Sequence, residues 1–525
     1  MKLVTVAEMR AIEREADANG LSYAQMMENA GQNLAREVAT AYGYSPDKSV
    51  LGLVGAGNNG GDTLVALAHL ALKGWRATAY TVRQRPNDPF IERLQRAGGR
   101  YVPGEEDPDF RKITALLDEH NVLLDGILGT GTHLPLRPDL LAILAHIQKI
   151  LATIKEPPHI VAVDCPSGMD CDTGQAAPEC LSAEMTVTMA AVKQGLLRFP
   201  AFKLAGEICL ASIGAIEELP TWKGLKRVVA EARLARSLLP RRPLDAHKGT
   251  FGAALVVAGS LNYTGAALLS GEAAYRSGAG WVTLAVPAPL HSPLAGRFPE
   301  ATWLLLPHDN GFIASAAAEI VLQNLARPTA LLIGPGFGLE DTTAQFLDRL
   351  LDGQNGGGVR LPPAVIDADG LKLLARLENW PARLPSPAVL TPHPGEMAVL
   401  TGLAREEIQA DRIGVAERYA QAWGHVVALK GACTVIAAPD GQTAIIPVAT
   451  AALARAGTGD VLAGLIVGLR AQGVEAFPAA LAGAWLHAQA GLRAADTLGN
   501  TASVLAGDVL AAVIEVISDL GINNS

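Results

Sequence analysis

Four short stretches gather the residue types that can do chemistry. "GAGNNGGD" (55–62) sets two Asn and an Asp behind a glycine turn. "LLDGILGTGTHLP" (123–135) places Asp125 at the end of an apolar run, ahead of a second glycine loop. "VAVDCPSGMD" (161–170) repeats the arrangement with Asp164, a Pro turn and Ser167, and Lys193 follows in "VKQGLL". The fourth, "ARAGTGDVLAGLIVGL" (454–469), puts Asp460 in the first turn of an apolar helix. Backbone N–H groups at a glycine turn that opens a helix can face phosphate, assisted by the helix dipole. Asn, Asp and Ser oxygens without a His or Cys cluster suit a hard cation rather than a transition metal. A carboxylate at a helix start can take a proton from a hydroxyl while backbone amides stabilise a transferring phosphoryl group. The plainer reading is that each Asp only caps the loop or helix after it.

These stretches need strands and helices to hold them. Apolar runs alternate with helical stretches from "VLGLV" through "GEICLASI", the rhythm of a parallel sheet with helices on both faces. Open parallel sheets gather ligands at strand C-termini, so Asn59, Asp62, Asp125, Asp164 and Ser167 are expected in one crevice. A dinucleotide cofactor site would want an acid at the end of the next strand, but "ATAYTVRQR" ends in Arg83 and Arg85. The rhythm falters around Pro220, Pro240 and Pro243, and a second α/β series runs from "FGAALVVAG" to the C-terminus. Two domains are expected, residues 1–222 and 226–525, because 525 residues are too many for one core.

Composition narrows the partners. Hydrophobic residues make up 49% and charged residues 18%, and the net charge is −9 without a basic stripe, which argues against nucleic acid. The five cysteines are an odd number without a C-x-x-C pair, which fits a reducing cytoplasm better than a disulfide framework. The charged N-terminus is no signal peptide, and no uncharged apolar run reaches membrane-span length. A cytoplasmic protein without membrane partners is expected.

"MMENAG" (26–31), "GAGNNGGD", "DGILGTG" and "AVDCPSG", in this order, resemble the NAD(P)H-hydrate epimerase family over roughly residues 1–215, with Thr63 where the family usually has Gly. The resemblance implies a Rossmann-like, three-layer parallel-sheet domain and a potassium ion held by Asn59, Asp125 and Ser167. It implies that Asn58, Asn59, Gly60, Gly61 and Asp62 contact the substrate. So would the loop of Gly129, Thr130, Gly131, Thr132, His133, Leu134 and Pro135, together with Asp164. That substrate is NADH or NADPH with water added across the nicotinamide ring, and Asp164 is expected to transfer a proton at the epimerised carbon.

In the second half "HKGTFG", "IGPGFG", "VIDADGL", "LTPHPGEM" and "LKGACTVI" join the Asp460 stretch. Together they resemble the ribokinase-like fold, and more closely its ADP- or ATP-dependent NAD(P)H-hydrate dehydratase branch. The resemblance places an adenine nucleotide against Lys430, Gly431, Ala432, Cys433, Thr434 and Gly459. Ala266, Gly338, His393 and Asp460 fall on hydrate-contacting positions, and Glu396 on that of a magnesium-linked acid. Cys433 is expected to be a packing residue. A kinase fold suits a dehydration because hydroxide leaves badly and phosphate leaves well, and Asp460 would be the general base. The implied function is repair of both hydrates by a homo-oligomer, with ADP or ATP as co-substrate. A small-molecule kinase for a vitamin alcohol, with a regulatory first domain, is the alternative, and a non-catalytic nucleotide-binding scaffold is a third reading.

Overall fold

Alternate residues of the strand Ser49–Val54 feed opposite faces: Val50 and Val54 enter one apolar core, Leu51 and Leu53 another. That pattern of a strand buried on both sides demands a covered parallel sheet. A computed structural model describes residues 1–356 and 360–521 of the chain, in two compact units, Met1–Arg227 and Val228–Ser525.

The main sheet of the first unit has seven strands: β1 (Ser49–Val54), β2 (Arg76–Thr81), β3 (Arg100–Pro103), β4 (Val122–Gly126), β5 (His159–Val163), β6 (Met185–Met189) and β7 (Glu207–Ala211). They run parallel in the order β3-β2-β1-β4-β5-β6-β7. The order reverses between β1 and β4, and there the strand ends can hold a ligand. Helices α1 (Val6–Ala18), α2 (Tyr23–Tyr42) and α3 (Asn58–Leu72) supply the core that Val50 and Val54 enter. Thr5 and Glu8 close a capping box on α1, and Ser22 and Gln25 do so on α2. α3 is buried from Asn59 to Ala68, so it carries apolar side chains almost all round.

The second unit is built on ten strands, β8 (Arg227–Val229), β9 (Ala253–Val257), β10 (Trp281–Pro287), β11 (Thr302–Leu306), β12 (Ala330–Ile333), β13 (Ala364–Ile366), β14 (Val389–Leu390), β15 (Val426–Leu429), β16 (Val435–Ala437) and β17 (Thr443–Ile445). Their order is β8-β17-β16-β15-β14-β13-β12-β9-β10-β11. β11 through β15 are parallel, and β16 and β17 add antiparallel pairings. Val256 and Leu332 face one core, Val257 and Ile333 the other. Helix α4 (Thr264–Arg276) packs on α5 (Thr458–Ala471), and α6 (Ala476–Leu498) packs on α5 in turn. A Cβ at Gly464 would lie 2.3 Å from Ser270 O and one at Gly468 2.4 Å from Ala274 O, so glycine sets how closely α4 and α5 approach. Both units have the α/β class expected from the alternating runs.

Candidate active sites

In the first unit β1 hands over to α3 through Gly55–Gly57. Arg85 Nη1 donates to Gly55 O (2.7 Å) and Gly57 O (3.0 Å), and its Nε is paired with Asp88. The arginine that stands where a cofactor acid was wanted thus braces the glycine turn from its carbonyl side. Arg83 is ion-paired with Asp139 and lines the cleft beyond. Gly60 and Gly61 are packing requirements rather than cleft walls: an added Cβ would lie 2.0 Å from Gly55 O or 2.6 Å from Met27 Sδ.

The cleft encloses about 580 Å3 at the ends of β1, β4 and β5. Asn58, Asn59, Asp62, Gly129, Thr130, Gly131 and Asp164 line it, with Glu13 and Lys193. Thr132 is buried and ties its own loop by donating to Gly129 O (2.8 Å from Oγ1). His133 is exposed. Leu134 and Pro135 instead line a separate apolar groove with Leu136, Leu141 and residues 176–179.

Behind the lining, Asn59, Asp125 and Ser167 are linked through Leu128; Asp125 and Ser167 are buried and do not themselves line the cleft. Asn59 Nδ2 donates to Leu128 O (2.8 Å) and Val163 O (2.5 Å), which turns its amide oxygen toward Gly129. Asp125 Oδ2 accepts from Ser167 N (2.8 Å), while Oδ1 is buried without a partner. Ser167 Oγ accepts from Leu128 N (2.9 Å). Burial raises the Asp125 carboxyl, partly countered by its bonds from Ser167. A buried carboxylate oxygen left unpaired is costly in a low dielectric unless a cation or proton meets it.

Asp164 stands in left-handed backbone at φ +66°, deep in the cleft. Its Oδ1 accepts from Lys193 Nζ, Thr188 Oγ1 (3.1 Å) and Met189 N (3.0 Å). Asp62 is driven well above the usual carboxylate range by burial, with Asp164 and Glu13 adding to the rise. Burial likewise raises Glu13, against the pull of Lys193. The cleft therefore sets two carboxyls raised by burial close to an aspartate paired with a buried ammonium.

Thr63 sits inside α3, fully buried, its Oγ1 donating to Asn59 O (2.7 Å). The room comes from Gly126 at the end of β4, where a Cβ would lie 1.9 Å from Thr63 Oγ1.

In the second unit a cavity of about 500 Å3 opens at the ends of β13 and β15 and the start of α5. Lys430, Gly431, Ala432, Thr434, Gly459, Asp460 and His393 line it, as do Asp367 and His487. Cys433 is buried, does not line the cavity, and its thiol is pushed up to about 12 by burial. No side chain caps the N-terminus of α5, and Gly457 before it has φ +90°, a left-handed turn suited to glycine. A Cβ at Gly459 would stand 3.4 Å from Lys430 Nζ and 3.8 Å from Asp367 Oδ2, so this helix start adjoins a charged cluster. Lys430 Nζ donates to Asp367 Oδ1 (2.6 Å) and lies 3.6 Å from Glu396 Oε2. Thr391 Oγ1 donates to Asp367 Oδ1 (2.7 Å), whereas Asp367 Oδ2 is buried without a partner.

Burial pushes the Asp460 carboxyl up to about 7, reinforced by Asp367 and opposed by Lys430. That value lets it accept a proton near neutrality while leaving it a willing donor. His393 caps the helix Pro394–Thr401: its Nδ1 accepts from Gly395 N (2.9 Å) and Glu396 N (3.2 Å), and Glu396 Oε2 accepts from His393 N (2.9 Å). Ala266 and Gly338 do not line this cavity. A Cβ on Gly336 would touch Ala266 Cβ at 2.7 Å, and Gly338 N donates to Asp369 Oδ2 (3.0 Å). His487 was not singled out by any motif. Burial lowers it to about 4, so it stands in the wall as a neutral ring.

Residues 23–195 match the YjeF-related protein N-terminus family and residues 254–514 the NAD(P)H-hydrate dehydratase family. The chain is 37% identical over 519 residues to the bifunctional NAD(P)H-hydrate repair enzyme Nnr of Moorella thermoacetica, covering 97% of this chain and 95% of that protein. It is 35% identical to the enzyme of the same name from Salinibacter ruber, over 97% and 94% of the two chains. A crystal structure of an ADP/ATP-dependent NAD(P)H-hydrate dehydratase from Bacillus subtilis is 30% identical, with a TM-score of 0.48, covering 56% of this chain and 98% of that one. A match to both halves of such enzymes does not favour a vitamin-alcohol kinase with a regulatory first domain. The chain belongs to the bifunctional NAD(P)H-hydrate repair enzyme family.

Proposed function

We propose that the first unit interconverts the R and S epimers of hydrated NADH and NADPH, and that the second dehydrates the S epimer with ADP, releasing AMP and phosphate. The observation that carries this reading is the pairing of two chemically different clefts. One holds an aspartate bound to a buried lysine, and the other a general base of pKa about 7 at an uncapped helix start. In the second cleft Asp460 takes the proton of the ring hydroxyl as its oxygen attacks the terminal phosphoryl group of ADP. The first turn of α5 and Lys430 face the charge that develops there. The C–O bond then breaks with phosphate as leaving group, and loss of a proton from the neighbouring carbon restores the ring double bond. Lys430, Gly431, Ala432, Thr434 and Gly459 hold the nucleotide, and His393 on the cavity wall meets the hydrate. Magnesium, where bound, neutralises phosphate charge. Asp367, through its unpartnered oxygen, and Glu396 would hold it.

Asn59, Asp125 and Ser167 are the oxygen donors for a potassium ion, which supplies a fixed positive charge under the substrate loop. The fit rests on the orphaned Asp125 Oδ1. Asp125→Ala should lower epimerisation by at least about tenfold, the lower range for disrupted metal sites. It should also abolish any dependence of the rate on potassium over lithium, while dehydration of pure S epimer is unchanged. Equal loss of both activities would assign Asp125 to folding.

Cutting the chain after Leu225 keeps β8 whole and leaves Trp222 and Leu225 on the first core, against which they pack. Each piece has its own core, so each should fold and act alone. Residues 1–225 should equilibrate the epimers without nucleotide, and residues 226–525 should restore dihydronicotinamide absorbance from the S epimer plus ADP only. Activity confined to the intact chain would overturn the reading of two self-sufficient sites.

A further inference from the structure

Lys193 is 1% exposed, yet it stands on the wall of the first cleft. A short parallel pairing of Val192–Lys193 with Leu3–Val4 fixes its backbone. Its ammonium donates to Asp164 Oδ1, to Thr188 Oγ1 (3.1 Å) and to Met189 O (2.8 Å). An ammonium has three N–H bonds, and here each has an acceptor. Oδ1 of Asp164 is equally engaged, accepting from Lys193, Thr188 and Met189 N. Among the described residues none donates to Oδ2, and it is not among the buried unpartnered atoms, so it is the oxygen open to the cleft.

We propose that Lys193 is a positioning residue that saturates one oxygen of Asp164 and presents the other, Oδ2, to the substrate hydroxyl as the proton-transferring atom. The proposal rests on the epimerase reading of this unit. The O–H bond of the hydroxyl breaks as an Oδ2–H bond forms. The oxygen's electron pair makes a C=O bond while the ring C–N bond breaks, its electrons going to the nitrogen conjugated with the carboxamide. The nitrogen then re-adds to the other face of that carbonyl as Oδ2 returns the proton to oxygen, so every bond is restored with no net proton gained. Lys193 keeps its proton throughout, because its three hydrogens are held by neighbours and none points to the cleft. The other charged groups that face Asp164 are Glu13 on α1, with Arg10 beside it, and Asp62 on α3, and the Cys165 thiol adjoins it in sequence. Glu13 and Asp62 oppose an ionised Asp164, which leaves Lys193 as the one cation bonded to it among the described residues.

The test is epimerisation by the full-length protein, followed by chiral separation of the two hydrates. Lys193→Met should lower kcat by about 100-fold with KM changed less than threefold. Lys193→Arg, which keeps the charge, should recover at least tenfold of the lost rate. Should Lys193→Met fold poorly, the double variant Asp164→Asn/Lys193→Met removes both partners and leaves no buried charge unpaired. If Lys193 acts through Asp164, the double variant is no slower than Asp164→Asn alone. A Lys193→Met enzyme with wild-type kcat, no recovery in Lys193→Arg, or a double variant slower than the single by tenfold would overturn the proposal. If the unaltered protein fails to interconvert the epimers, it is the functional reading that falls.

Discussion

Asp460→Asn should slow ADP-dependent dehydration by about 100- to 10,000-fold, the range for loss of a general base. Asn keeps the size and some hydrogen bonding of the side chain at the start of α5 but cannot take the hydroxyl proton. Nucleotide affinity should change little, because the residues against the nucleotide are untouched, and epimerisation in the other unit should be intact. The pH dependence gives a second check with a definite sign. Burial and Asp367 push Asp460 up to about 7, so its basic form is scarce below that pH and dominant above it. The rate of the unaltered enzyme should therefore climb through about pH 7, and this limb should vanish in Asp460→Asn. Gly459→Val is the contrasting variant. Even a Cβ there reaches 3.4 Å from Lys430 Nζ, and the branched methyls would fill the space beside it, so ADP binding should fail. A folded Asp460→Asn enzyme that works at near wild-type rate would refute phosphoryl transfer through this residue.

Asp164→Asn should cost epimerisation a similar factor, about 100- to 10,000-fold, while dehydration of pure S epimer proceeds normally. Asparagine is the informative choice because the backbone sits at φ +66°. Asn tolerates the left-handed region, whereas most side chains with a Cβ are strained in it. The amide oxygen can still accept from Lys193, so the loop should hold its shape while the proton carrier is gone. A loss shared equally by both activities, or no loss, would remove Asp164 from the chemistry.

The strand-end acids were legible because a parallel sheet brings its C-terminal ends to one edge, whatever the sequence distance between them. Asp125, Asp164 and the Asn59 turn come from β4, the end of β5 and the start of α3; Asn59 and Asp164 line the cleft, and Asp125 lies buried behind it, bonded to Ser167. Lys193 was quoted beside the Asp164 stretch without a role, and Glu13 was not singled out. Lys193 lies in a two-residue strand, and Glu13 in a charged N-terminal helix. What marks them is burial against Asp164, which only the folded chain creates. The loop after β4 shows a second limit. Its glycines announce a turn, but not that Leu134 and Pro135 leave the cleft for the groove beside it. Asp367 stood in a quoted motif without a role, because its unpartnered oxygen becomes visible only once Lys430 and Thr391 occupy the other.

Thr63 and Gly126 occupy what is in effect one volume, divided between a helix and a strand. Because the space is shared, the bulk at one position limits the bulk the other can carry. A lineage can move bulk from one to the other, but adding it to both would wedge α3 off the sheet and lift Asn59 away from the loop carbonyl it holds. Change at these sites is therefore order-dependent: the side chain at one position must shrink before the other can grow. Chimeras that join α3 from one relative to β4 from another would fail or succeed on that count, even where every cleft residue is shared.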